Sequence, residues 1–154
     1  MDAVSKDAKL KLAVLDEEDL AVMSAHLQDA WAKPGDMAYL PQTRRFAATV
    51  CRVDWTRLMT GKQERCAAGF HFECVTRVQR LGIPQDQPDA KLQLLSVSFT
   101  PTAAPGGEVR LIFSGGGMIK LEVECLEAEM RDLCAPWPVQ DCPRHVLDEA
   151  SAAV

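Results

Sequence analysis

The chain has 154 residues, 47% of them hydrophobic and 25% charged, with a formal net charge of −5. That is the balance of one globular domain with a sizeable core, and it excludes wholesale disorder, a collagen-like fibre and a polycationic nucleic-acid tail. No apolar run approaches the ~18 residues a membrane-crossing helix needs, and residues 1–7 (MDAVSKD) lack the apolar core of an export signal, so a cytoplasmic location is expected.

Residues 1–8 are expected to be a flexible start, 9–137 a single α+β domain, and 138–154 an irregular, partly disordered tail. In the first element Leu10, Leu12 and Val14 alternate with Lys9, Lys11 and Ala13, the mark of a half-buried strand. Asp16 then reads as the N-cap of a helix with Glu17, Glu18 and Asp19 in its first turn, where negative charge suits the helix dipole. Leu15 and Leu20 occupy the two positions of a hydrophobic staple, and Leu20, Met23 and Leu27 form the buried stripe. Pro34-Gly35-Asp36 reads as a break between extended segments 29–33 and 37–40. Strands follow at 45–55 and at 65–80, separated by a polar stretch at 56–64. In the longer strand the even positions Cys66, Ala68, Phe70, Phe72, Cys74 and Val78 should face inward, and Arg65, His71, Glu73 and Arg77 outward.

After a Pro- and Gln-rich loop at 82–90, Leu95, Val97 and Phe99 are expected to point inward from a strand over 91–100. Val109, Leu111 and Phe113 form the inward face of the next strand. Gly115-Gly116-Gly117 then turns into a strand over 118–123; with no helix or Lys-Ser/Thr after the glycines, a hairpin turn explains them better than a phosphate loop. Leu126, Met130 and Leu133 recur at i, i+4 and i+7, which predicts a C-terminal helix over 124–133. Pro136, Pro138 and Pro143 should end regular structure. Short connections make the sheet antiparallel. The expected architecture is therefore a strongly curved antiparallel sheet or split barrel of six to eight strands, pleckstrin-homology-like by analogy, with one N-terminal and one C-terminal helix.

The six cysteines, at 51, 66, 74, 125, 134 and 142, include no Cys-x2–4-Cys pair of the kind that builds structural zinc sites. Cys66, His71 and Cys74 are the nearest to a ligand cluster, yet alternation turns His71 away from the two thiols. Buried free thiols, no metal and no cofactor are expected. The three histidines stand at 26, 71 and 145, and no serine lies in a nucleophile elbow, so no catalytic residue is assigned. A small enzyme with His71 and Glu73 as an acid–base pair is the rival reading.

Charge is segregated. Residues 44–80 carry eight basic side chains against three acids, whereas residues 118–154 carry three against eight. Arg45, Arg65 and Arg77, with His71 and Glu73 beside them, would form a basic sheet face for a small anionic ligand or an acidic protein partner. Alternatively Glu122, Glu124, Glu127 and Glu129 neutralise that face inside the fold. Nucleic acid is disfavoured by the net charge and the lack of interleaved aromatics, and a membrane by the absence of any span. A structural subunit of an assembly is a third reading, and the oligomeric state stays open.

Six stretches together resemble a known family. They are Asp16–Leu20, Tyr39-Leu40-Pro41 with Arg44-Arg45-Phe46, Arg52-Val53-Asp54-Trp55, Gly69–Phe72, Ser114–Gly117 and Val123–Ala128. Over about residues 9–137 the chain is similar to domain-of-unknown-function family 2948, small uncharacterised proteobacterial proteins. The resemblance implies a stand-alone cytosolic bacterial protein and brings no activity, cofactor or catalytic residue. It draws attention to Arg52 and Asp54, which share a strand face and are expected to pair, and to Trp55, which should pack on the opposite face as part of a structural corner or candidate site.

Overall fold

The structure, a computed structural model, describes residues 10–54, 64–133 and 137–138. Ten strands occur among them: β1 (Lys11–Val14), β2 (Ala30–Leu40), β3 (Arg45–Val53), β4 (Glu64–Phe72), β5 (Val75–Leu81), β6 (Leu92–Pro101), β7 (Gly107–Phe113), β8 (Met118–Val123), β9 (Ala128–Asp132) and β10 (Trp137–Pro138). They form one antiparallel sheet in the order β1-β9-β4-β3-β2-β6-β7-β8-β5, with β10 paired to β4. Among the described residues no ladder joins β1 to β5, so the sheet they form is open. This corrects the expected split barrel. The one α-helix among the described residues, α1 (Glu17–Leu27), packs across β6, β1 and β3. It is too short to cross a membrane.

Asp16 caps α1 by accepting a hydrogen bond from the Asp19 backbone N–H at 2.8 Å, while Asp19 accepts from the Leu15 N–H at 3.0 Å. Leu20, Met23 and Leu27 are the buried face of the helix. Leu15 is 70% exposed, so the expected staple with Leu20 does not close. Ser24 Oγ accepts from the Val97 N–H at 2.9 Å and ties the helix to β6.

The C-terminal helix is not formed. Its residues make β9, which lies inside the sheet between β1 and β4: Met130 sits opposite both Leu12 and Phe70, and Ala128 opposite both Val14 and Phe72. Leu126, Ala128, Met130 and Asp132 are all buried, a period of two that the 3.6-residue reading of Leu126, Met130 and Leu133 obscured. Ladder bonds on two sides outweigh a weak helical pattern.

Three further corrections concern strand continuity. Pro34-Gly35-Asp36 is no turn but a bulge within β2, where the register with β3 shifts between Ala32 and Met37. The strand expected over 65–80 breaks at Cys74 (φ +57°) into β4 and β5. In β6 a shift between Leu94 and Ser96 changes the parity: Leu94 is buried and Leu95 is 40% exposed. On β7 and β8 alternation holds, with Val109, Leu111 and Phe113 and then Ile119, Leu121 and Val123 turned to the core. Gly115 (φ +80°) and Gly116 (φ +92°) supply the left-handed turn between these two strands. Pro138 falls within the two-residue β10 rather than beyond regular structure. Trp55, most of the polar stretch at 56–64, and all of the expected ends at 1–8 and 138–154 except Pro138 lie outside the described residues.

The Cys74 corner separates β4 from β5. Val75 N–H donates to the Arg44 carbonyl at 2.8 Å, and Tyr39 Oη–H donates to the Val75 carbonyl at 2.7 Å, which joins the corner to the β2–β3 turn. Glu124 N–H donates to the Cys74 carbonyl at 3.0 Å, and Glu73 N–H to the Glu127 carbonyl at 2.9 Å. Three turns thus meet at one end of the sheet. Their hydrogen bonds hold Cys74 in a conformation a non-glycine residue otherwise avoids.

Candidate functional site: a charged groove on β3, β4 and β9

Antiparallel register sets the rows of this face. His71 on β4 lies opposite Ala47 of β3 and Glu129 of β9, and Gly69 lies opposite Thr49 and Arg131. Small residues form the middle of the face: Ala47, Thr49, Ala67 and Gly69 are all buried. Arg45, Gly69, His71, Glu129, Arg131 and Leu133 line an open groove of about 340 Å³, together with the backbone of Phe70.

Its charges are interlocked. Glu73 Oε2 accepts from Arg45 Nε at 2.8 Å and lies 2.5 Å from His71 Nδ1. His71 Nε2 is 3.4 Å from Glu129 Oε1. Both ring nitrogens therefore face carboxylate oxygens. Arg131 is exposed and enters no ion pair among the described residues.

The other expected members of the basic face are elsewhere. Arg65 is 8% exposed and reaches across β3 toward β2: its Nη1 donates to the Cys51 carbonyl at 3.0 Å and the Asp29 carbonyl at 3.2 Å, and its guanidinium stacks 3.7 Å above the Trp31 ring. Arg77 lies on β5 and reaches Glu122 at 3.5 Å. So Arg45, His71 and Glu73 come together, whereas Arg65 and Arg77 do not join them. The acidic C-terminal residues take up much of the basic block: Arg44 meets Glu124 at 2.8 Å, Arg77 meets Glu122, and His71 faces Glu129. Arg131 was missed because a helical reading of 124–133 placed it away from the sheet.

A second, buried polar cluster lies on the core side. Arg52 does not pair with Asp54 as expected but closes a fork on Asp132, Nε to Oδ1 and Nη2 to Oδ2, both at 2.8 Å. Asp132 Oδ2 also accepts from the Leu10 N–H at 3.0 Å. Burial opposes the Arg52 charge, but the hydrogen bonds to Asp132 together with the electrostatic influence of Cys66, Asp132 and Asp54 more than offset it, and its proton affinity is raised. Desolvation, then the nearby Arg52 charge, push the pKa of His26 down, and burial pushes the Cys66 thiol up. Asp54 is buried beside this cluster and acts electrostatically on Arg52 and His26.

Of the four cysteines described, Cys51 and Cys66 are buried and Cys74 and Cys125 are half-buried, and none is in a disulfide. Cys66 and Cys74 do not converge on His71. Cys74 instead meets Cys125, Sγ to Sγ at 3.6 Å.

The family model described as "Protein of unknown function (DUF2948)" matches residues 10–145, and the chain belongs to that family. No curated protein and no solved structure matches.

Proposed function

We propose that this member of the DUF2948 family is a non-catalytic binding module that receives a carboxylate- or phosphate-bearing ligand in the β3–β4–β9 groove. One observation carries the reading. Arg45 and Arg131 line the same open groove across Gly69, and Arg131 has no ion-pair partner among the described residues. Arg45 is held at Nε by Glu73, which leaves its two terminal nitrogens to donate. Two guanidinium groups over a floor of small residues suit a planar or tetrahedral anion, because their donors match its oxygens in pairs. The His71–Glu73–Glu129 arrangement favours binding over acid–base chemistry, since its ring nitrogens are already turned to carboxylates.

The test is an NMR titration of the ¹⁵N-labelled protein with inorganic phosphate and, separately, with an oligoglutamate peptide. The expected result is saturable shifts at Gly69 and His71 that R131E abolishes while the melting temperature stays unchanged. Absence of shifts with both probes, or shifts indifferent to R131E, overturns the reading.

A further inference from the structure

Away from that groove's lining residues, at the meeting of the three turns, two thiols and a carboxylate converge from two separate parts of the chain. Cys74 Sγ, Cys125 Sγ and a Glu127 carboxylate oxygen lie within 4.8 Å of one another. We propose that Cys74, Cys125 and Glu127 form a three-ligand site for a thiophilic divalent cation of the zinc class, with the fourth position open to solvent.

Geometry is the first support. With metal–sulfur bonds of about 2.3 Å, two ligands of a tetrahedral zinc centre lie about 3.8 Å apart. The sulfurs here are already 3.6 Å apart. Glu127 is exposed, and its carboxylate completes the triangle by side-chain rotation alone.

Preorganisation is the second. The two ligand-bearing segments are fastened together on either side of the site by the Glu124 N–H to Cys74 carbonyl and Glu73 N–H to Glu127 carbonyl bonds. Arg44, which would repel a cation, is occupied by Glu124 at 2.8 Å. The left-handed backbone at Cys74 is held by these same contacts, and so is the direction of its side chain.

Ligand chemistry points the same way. Two thiolates select against magnesium and calcium, whose preferred ligands are oxygens. Because Cys74 and Cys125 are half-buried and Glu127 is exposed, a cation can enter and exchange.

The test is anaerobic titration of the full-length, reduced protein with Co(II), followed by displacement with Zn(II). Thiolate-to-cobalt charge-transfer absorption and native mass spectrometry are the readouts. The expected result is one cation per chain. C74S and C125S should lose the charge-transfer band and weaken binding by more than the roughly 10–100-fold typical of an outer-shell change. E127Q, at an exposed position that leaves folding intact, should keep the band and still weaken binding at least about tenfold. No uptake, or one-to-one uptake that survives C125S with its band, overturns the site. Uptake unaffected by E127Q overturns the three-ligand assignment.

Discussion

Arg52 and Asp132, eighty positions apart in sequence, close a two-bond ion pair in the protein interior, each side chain only 4% exposed. The pair joins β3 to β9 across β4, and through the Leu10 N–H it also holds the start of β1. Removing one partner leaves the other charged and buried without compensation, the costly case for an interior ion pair.

R52A or D132A is therefore expected to destabilise the fold by about 3–5 kcal/mol in urea denaturation. The double replacement by Leu should recover a large part of that loss. Additive losses in the double mutant would show that the two side chains do not act as a pair.

Protonation of His26 is disfavoured in the folded protein, so the unfolded chain binds more protons below its ordinary value of 6.5. Stability should accordingly fall as pH drops from 6.5 toward the lowered folded pKa, and be independent of this group above 6.5. Chemical denaturation of wild type and H26Q across pH 5–8 measures it, and the variant should show a flatter profile below 6.5. Identical slopes would exclude His26 as a source of acid sensitivity.

Glu73 competes with any incoming anion for Arg45 and His71. In E73Q the guanidinium and imidazole lose a charged partner, and phosphate affinity should rise by up to about tenfold, the worth of one charge-assisted hydrogen bond. Phosphate titration followed at the Gly69 amide reads this directly. A weaker-binding E73Q would mean that Glu73 orients the ligand's partners rather than opposing the ligand.

Arg65 has a structural part. Lysine lacks the planar group that stacks on Trp31 and donates to the Cys51 and Asp29 carbonyls, so R65K should cost about 1–3 kcal/mol. Phosphate binding in the groove should be unchanged. Loss of binding at unchanged stability would return Arg65 to the ligand site.

Local chemistry made part of this structure readable. Asp16 before three acidic residues and an apolar stripe is a capping pattern whose groups lie within four positions of one another. The glycines after Phe113 report a backbone need that few other residues meet. Alternation on β1, β7 and β8 follows from one face being buried. The groove was half legible: Arg45 and His71 lie on adjoining strands and meet Glu73 in the turn after β4, while Arg131 was hidden by the mistaken helix.

What the sequence by itself determined was an antiparallel sheet with charge segregated between its middle and its C-terminal part, because alternation and short turns are properties of nearby residues. The tertiary structure decided which edges pair and therefore what each charged residue does. Residues 128–132 become a strand because β1 and β4 offer hydrogen bonds on both sides, a condition set by residues more than fifty positions away. Arg52 finds Asp132 because β4 pairs with β3 on one side and β9 on the other, and Cys74 finds Cys125 because backbone hydrogen bonds fasten the β4–β5 turn to the β8–β9 turn. Those partners are chosen by the summed hydrogen bonding and burial of the whole sheet, and no local pattern of residues records that sum.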